Sequence, residues 1–208
     1  MPYYHEIVTQ RSWEALQALR TQLNFLLIGG WATYLYTKAL KSKDIDVIVD
    51  FPDLAALAKR YTLSKNERLK KYEAVAGEVQ IDVYLPHYSQ LGLPVDLLRD
   101  HTRSVEGFTL LDPAYLLALK LHTLAQRGRS PKGEKDFLDC LALLQAGVAD
   151  LKEAAALLTR YDRAEALETF RTLLGEHRQV PELSLNAHHL ARLKRRLLSL
   201  LERHHPTT

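Results

Sequence analysis

Between residues 6 and 23 (EIVTQRSWEALQALRTQL) apolar side chains recur at Ile7, Trp13, Leu16, Leu19 and Leu23, near helical spacing, which predicts a helix. The next apolar run, 25-FLLI-28, is short and stops at Gly29-Gly30, which predicts a buried strand. After the glycines, 31-WATYLYTKAL-40 predicts a short helix and 41-KSK-43 a loop. The Ile- and Val-rich run 44-DIDVIVDF-51 predicts a strand closed by Pro52, and 53-DLAALAKRY-61 a helix. A further strand is predicted within residues 67–77, running into a turn at Gly77. The clearest alternation in the chain, 78-EVQIDVYLP-86, predicts a strand that ends at Pro86.

Beyond about residue 111 the pattern changes. Asp112 and Pro113 read as the N-cap and first helical position of a helix over 112–128. A loop, 128-GRSPKGE-134, follows, and helical periodicity then resumes over 135–147, 151–161, 163–176 and 183–203. No β-like alternation occurs there. The expected architecture is therefore mixed α/β over residues 1–110, with strands separated by helices, and all-helical over 111–208. No internal repeat and no low-complexity segment is visible.

Composition narrows the class without naming a function. Of 208 residues, 47% are hydrophobic and 25% charged, the balance of a globular protein with a sizeable core. No apolar run approaches the roughly 20 residues that span a bilayer. The N-terminal MPYYHEIVTQRS lacks the basic and apolar regions of a secretory signal, so a membrane partner is not expected. The lone cysteine, Cys140, reads as a small buried hydrophobe, fits a reducing compartment and makes a cytoplasmic location the expectation. The net charge of +3 permits a nucleic-acid or nucleotide partner. Basic residues concentrate in 188-HHLARLKRRLLSLLERHH-205 and 59-KRYTLSKNERLKK-71.

The candidate chemistry lies in the strands. Side chains two apart on a strand share a face about 6.6 Å apart, so Asp44 and Asp46 present two carboxylates together. Asp82, inside 79-VQIDVYL-85, has the same setting. If the two strands are neighbours, three carboxylates converge, repel one another, and call for a divalent cation; all-oxygen ligands favour Mg²⁺ or Mn²⁺. Such a trio suits a two-metal site for phosphoryl or nucleotidyl transfer. The plainer alternative has Asp44 capping the strand start and Asp46 pairing with a lysine such as Lys43. Asp50 shares the face but lies about 13 Å from Asp46 along a strand, out of reach of the same ion. Gly29-Gly30, between strand and helix, lets backbone approach a ligand, and the helix N-terminus that follows offers amides to phosphate. GxGxxG and GK[ST] are both absent.

IGG, a short helix, KSKDIDV and then a strand carrying IDV together resemble the polymerase-β-type nucleotidyltransferase superfamily, over about residues 25–85. The helical stretch 116-LLALKLHTLAQRGRSPKGEKDFLDCLALL-144 resembles the AbiEii group of toxin nucleotidyltransferases: a lysine on an apolar helix, an arginine-rich loop and a KDxxD helix. The resemblance implies a nucleotidyltransferase-fold mixed sheet with flanking helices plus a C-terminal helical domain. It implies transfer of a nucleoside monophosphate from a nucleoside triphosphate to an acceptor hydroxyl, with RNA such as tRNA favoured over a small molecule or a protein side chain, and an antitoxin protein as partner. The alternative is a non-catalytic protein of the same fold that binds a nucleotide or a partner. Asp44, Asp46 and Asp82 would be catalytic and hold the metals. Gly29 and Gly30 would seat the triphosphate, with Ser42 and Lys43 as phosphate donors, while Lys120 would contact the triphosphate and Asp136 line the active cleft. Read from the residues alone, Lys120 in LLALKLHTL asks for a buried partner or snorkels to the surface. Asp136 and Asp139 share a helical face, and one of them could cap the helix or pair with Lys132 or Lys135. Two departures from the family pattern stand out. Trp31 follows the glycines where many members carry a hydroxyl, and Lys41-Ser42 replaces the common Arg-x-Thr. His101 and His122 stand singly and read as core or surface residues.

Overall fold

A computed structural model describes residues 6–202, so the His204-His205 pair lies outside the described residues. The chain divides into two compact units, one ending at Asp112 and the other beginning at Pro113.

The first unit is built on a seven-stranded mixed sheet, in the order β3-β4-β5-β2-β1-β7-β6. Helix α1 (Glu6–Arg20) leads into β1 (Leu26–Ile28), α2 (Gly29–Thr37), β2 (Ile45–Ile48) and α3 (Phe51–Ala58). The hairpin strands β3 (Leu63–Asn66), β4 (Lys71–Ala76) and β5 (Val79–Tyr84) follow, then α4 (Val95–Asp100), β6 (Thr102–Val105) and β7 (Phe108–Leu111). Strand β2 runs parallel to β5, and β1 parallel to β7; the other pairs are antiparallel. The core is apolar, with Leu16, Leu19, Leu27, Ile45 and Ile81 fully buried. Trp31 belongs to it: its indole N–H donates to the buried Ser12 hydroxyl at 2.8 Å, and its ring meets Trp13 and Tyr34. A hydroxyl after the glycine pair is therefore replaced by a packing residue.

Several boundaries differ from the pattern read in the sequence. Pro52 does not close β2; it sits in the first turn of α3, where a missing N–H costs nothing. Helix α2 starts at Gly29 itself, so both glycines form its first turn. Strands β3 and β6 and helix α4 carried no clear apolar period. The two strands are edge strands with mostly exposed side chains, which removes the alternation that would reveal them. Glu106 and Gly107, both at positive φ, make the two-residue turn between β6 and β7.

The second unit consists of α5 (Pro113–Arg127), α6 (Pro131–Gln145), α7 (Leu151–Arg160), α8 (Glu165–Glu176), a 3-10 turn at Pro181–Leu183, and α9 (Ala187–Glu202). Helix α5 packs on α6, α7 and α8, and α9 on α7 and α8. Helix α6 begins earlier than expected because Ser130 caps it, accepting from the Gly133 N–H at 3.1 Å, with Pro131 at the following position. Gly133 is obligatory there: a Cβ would lie 1.9 Å from the Gly128 carbonyl oxygen. No helix among the described residues is long and apolar enough to cross a membrane.

Candidate active site

The parallel register of β2 and β5 sets Asp46 directly beside Asp82, and the antiparallel register of β1 sets Ile28 on Asp46's other flank. Paired positions share a face of the sheet, so the two carboxylates project to the same side. Asp44 stands two residues ahead of Asp46, one residue before β2 begins. Ser42 fixes that approach: its hydroxyl is almost buried and donates to the Asp44 carbonyl at 3.0 Å.

The glycine pair makes room for these side chains. A Cβ on Gly29 would stand 2.2 Å from Asp46 Oδ2, and Gly29 holds φ +69°, where L-residues are strained. A Cβ on Gly30 would stand 2.6 Å from Ser42 Oγ. Gly29 and Gly30 thus admit Asp46 and Ser42 against the helix start, a close approach of side chain to backbone within the protein.

Asp82 is 9% exposed, and both of its oxygens accept hydrogen bonds. The Lys71 ammonium donates to Oδ2 at 2.5 Å and the Gln80 amide to Oδ1 at 2.7 Å. Lys71 also lies 3.0 Å from Glu73, which accepts from Asn66 at 3.0 Å. The sheet explains the grouping: Glu73 pairs with Asp82 in register, while Lys71 and Gln80 are each two residues from one of that pair. Burial works against the Lys71 charge, but its bonds to Asp82 and Glu73 outweigh this and hold its pKa above the ordinary lysine value. The bond from Lys71 in turn holds Glu73 below the usual carboxylate range. Lys71 and Glu73 were not singled out in the sequence. Their signal was a charged pair two apart on a strand, readable only once β4 is known to neighbour β5.

The helical unit carries a second charged network. Lys120 on α5 donates to Asp136 Oδ1 at 3.0 Å and lies 2.8 Å from Asp139 Oδ2, a close charge contact without hydrogen-bond alignment. Arg127 donates to Asp136 Oδ2 at 2.7 Å, and Lys135 to Asp139 Oδ1. Asp136, Asp139 and Lys135 are buried. Burial acts to raise the Asp136 pKa, but Lys120 and Arg127 outweigh it and bring the carboxyl below its ordinary value. Burial pushes Lys135 below the ordinary lysine value despite Asp139 beside it. Lys120 therefore has the buried partners its setting demands, and Asp139 pairs with Lys135.

The basic helix α9 buries Leu190, Leu193, Leu197 and Leu201. Two of its cations serve other helix ends: Lys194 donates to the Gly175 carbonyl at 3.1 Å and to that of His177, and Arg196 to the Leu144 carbonyl at 3.0 Å. In the sheet unit, a cavity of about 380 Å³ lined by Arg20, Asn24, Phe25, Val49, Asp50 and Arg99 lies at the Leu26–Ile48 end of the strands, away from Gly29 and Asp46. Asp50, at the start of α3, is bonded there to Arg99 at 2.8 Å.

Asp44 and Asp46 are hard oxygen donors two residues apart, a donor chemistry that suits a divalent cation, while the room beside Gly29 is taken by the Asp46 carboxylate itself. Asp82 does not fit as a third ligand in its present bonding. Among the described residues no set of three or more His, Cys, Asp or Glu side chains is gathered as metal ligands.

The family model of the nucleotidyl transferase AbiEii toxin, type IV TA system, matches residues 12–206 of the chain. No curated protein matches the chain. Among solved structures it is similar to a candidate nucleotidyltransferase from H. pylori, at 12% identity and TM-score 0.50 over 96% of this chain and 97% of that one. The antibiotic-resistance factor ANT(2'')-Ia is similar at 15% identity and TM-score 0.50, over 80% of this chain and 96% of that one. The Megavirus polyadenylate synthase aligns at 15% identity and TM-score 0.48 over 67% of this chain, which spans only 31% of that one. At these identities the two likenesses with a TM-score of 0.50 show a shared fold.

Proposed function

The chain belongs to the AbiEii nucleotidyltransferase family, and we infer that it moves a nucleoside monophosphate from a nucleoside triphosphate to an acceptor hydroxyl on RNA, tRNA ends first, as the toxin of a toxin–antitoxin pair. The observation that carries this is the register pairing of Asp46 with Asp82, with Asp44 two residues ahead and Gly29 cleared for the Asp46 carboxylate. Asp44 and Asp46 would hold Mg²⁺ or Mn²⁺, which when bound supplies charge neutralisation to the triphosphate. The acceptor oxygen bonds to the α-phosphorus, the α–β anhydride bond breaks, and pyrophosphate leaves. Asp82 would face the acceptor hydroxyl and help accept its proton. Gly29 and Gly30 would seat the triphosphate at the start of α2, with Lys43, and Ser42 once its hydroxyl leaves the Asp44 carbonyl, as phosphate donors. For the helical unit, the family resemblance proposes Lys120 and Asp136 as nucleotide-contacting residues; each would first give up part of its ion pairing. Catalysis would come from positioning and charge neutralisation.

The test incubates purified protein with each α-labelled nucleoside triphosphate, Mg²⁺ or Mn²⁺, and cellular RNA plus protein, beside Asp44→Ala/Asp46→Ala. Label on RNA that the double variant loses supports the reading. Label on protein or on a small molecule moves the acceptor elsewhere, and no label in any lane rejects transfer to either polymer. Because Lys194 and Arg196 already cap α8 and α6, RNA contact by α9 would fall to its other cations.

A further inference from the structure

We propose that Lys71 is a resident cation of the Asp82 side of the site, standing where a second divalent ion would otherwise bind, so that the chain takes up a single divalent cation at Asp44 and Asp46. This rests on the nucleotidyltransferase reading above and deepens it.

The bonding around Asp82 carries the inference. Both carboxylate oxygens are engaged, Oδ2 by Lys71 at 2.5 Å and Oδ1 by Gln80 at 2.7 Å. Lys71 is not a surface lysine that has swung inward. It is 6% exposed, its backbone opens β4 in register with Asn66 of β3, and Glu73 holds its ammonium at 3.0 Å. Glu73 is itself held by Asn66 and by register pairing with Asp82. An ion entering at Asp82 would have to break the Lys71 bond. It would leave a buried ammonium within a few ångströms of a double positive charge, with Glu73 as its remaining partner. Like charges at that separation, in a site largely screened from water, repel strongly, so the second ion is disfavoured while Lys71 stays. The lysine needs no recruitment from solution, and its position is set by the strand that bears it. Lys71 acts through Asp82 and is in that sense a positioning residue: it fixes the third carboxylate's orientation and charge without touching the reacting phosphorus.

The experiment counts ions. The full-length protein is saturated with the α,β-methylene analogue of the nucleotide that labels best, titrated with Mn²⁺, and the free ion read by electron paramagnetic resonance, with an analogue-only blank. One bound Mn²⁺ per chain is expected for the wild type, two for Lys71→Met, which frees Asp82 and Glu73, and one again for Lys71→Arg. Two ions in the wild type overturn the proposal, and so does a count of one in a folded Lys71→Met. Should Lys71→Met not fold, the wild-type count decides alone. Two ions with RNA labelling intact remove only the role of Lys71. Failure of the wild type to bind either analogue or Mn²⁺ removes the nucleotidyltransferase reading beneath it.

Discussion

Replacing Gly29 by alanine tests whether the glycine pair exists to admit the Asp46 carboxylate. Two costs add at this position. Its φ of +69° lies in the left-handed region, where an L-residue loses about 1–2 kcal/mol. The new Cβ would also sit 2.2 Å from Asp46 Oδ2 and 2.8 Å from Asp46 Cβ, closer than real Cβ contacts allow. Relieving that overlap means moving a side chain anchored on a central strand, an overpacking cost of about 1–3 kcal/mol. The expected loss is therefore about 2–5 kcal/mol.

Gly77 supplies the control. It has nearly the same φ, +64°, but nothing lies within 4 Å of its would-be Cβ. Gly77→Ala should lose only the backbone part, about 1–2 kcal/mol. Urea denaturation of both variants isolates the steric difference, which corresponds to about 2–4 °C in Tm for each kcal/mol in a chain of this size. The labelling assay gives the second readout: Gly29→Ala displaces Asp46 and should lose transfer, whereas Gly77→Ala should keep it. Equal stabilities with full activity in both would refute the argument that Gly29 clears space for Asp46.

Three further outcomes are expected. Asp136→Asn removes one carboxylate from a buried network and should cost about 3 kcal/mol at neutral pH. Because the folded pKa of Asp136 is depressed below its ordinary 3.8, that contribution is complete above this value and lost as pH falls through the lower folded one; the difference between wild type and variant in urea melts should shrink below about pH 4. Cys140 is fully buried and its thiol is pushed well above its usual pKa by burial, so a thiol-reactive dye should modify it only at the rate of unfolding; rapid reaction in the native state would contradict its placement. Lys194→Met should lower stability by about 1.5–3 kcal/mol through lost charged bonds to the end of α8, yet leave the salt dependence of RNA binding unchanged; a smaller salt slope would make Lys194 a phosphate contact instead.

What the sequence could show follows from how far each signal reaches along the chain. Asp44, Asp46 and Asp82 were legible because each lies in or beside a short Ile/Val run, and a two-residue spacing on a strand fixes a shared face without knowledge of the fold. The helical half was legible for a related reason, since apolar positions repeat over several turns. Edge strands such as Leu63–Asn66 and Thr102–Val105 expose most of their side chains, so no alternation betrays them. The roles of Lys194 and Arg196 were hidden too: basic residues on an amphipathic helix look alike whether they face phosphate or the carbonyls of Gly175 and Leu144, far away in sequence.

Lys71 shows why the remainder of the site needed a structure. Within the run KKYEAVAG nothing distinguishes Lys71 from Lys70, its neighbour. On the sheet the two differ completely: Lys70 stands at φ 49° in the turn before β4 and reaches Glu67, while Lys71, one residue later, reaches Asp82 across the strand pair. A one-residue shift between β4 and β5 would exchange the faces and send Lys71 away from the carboxylate. The register is set by burial on the opposite face, where Ala74 meets Ile81 and Tyr72 meets Val83. The apolar half of the hairpin therefore decides which cation faces Asp82, and the chemistry of the site depends on residues that never touch it.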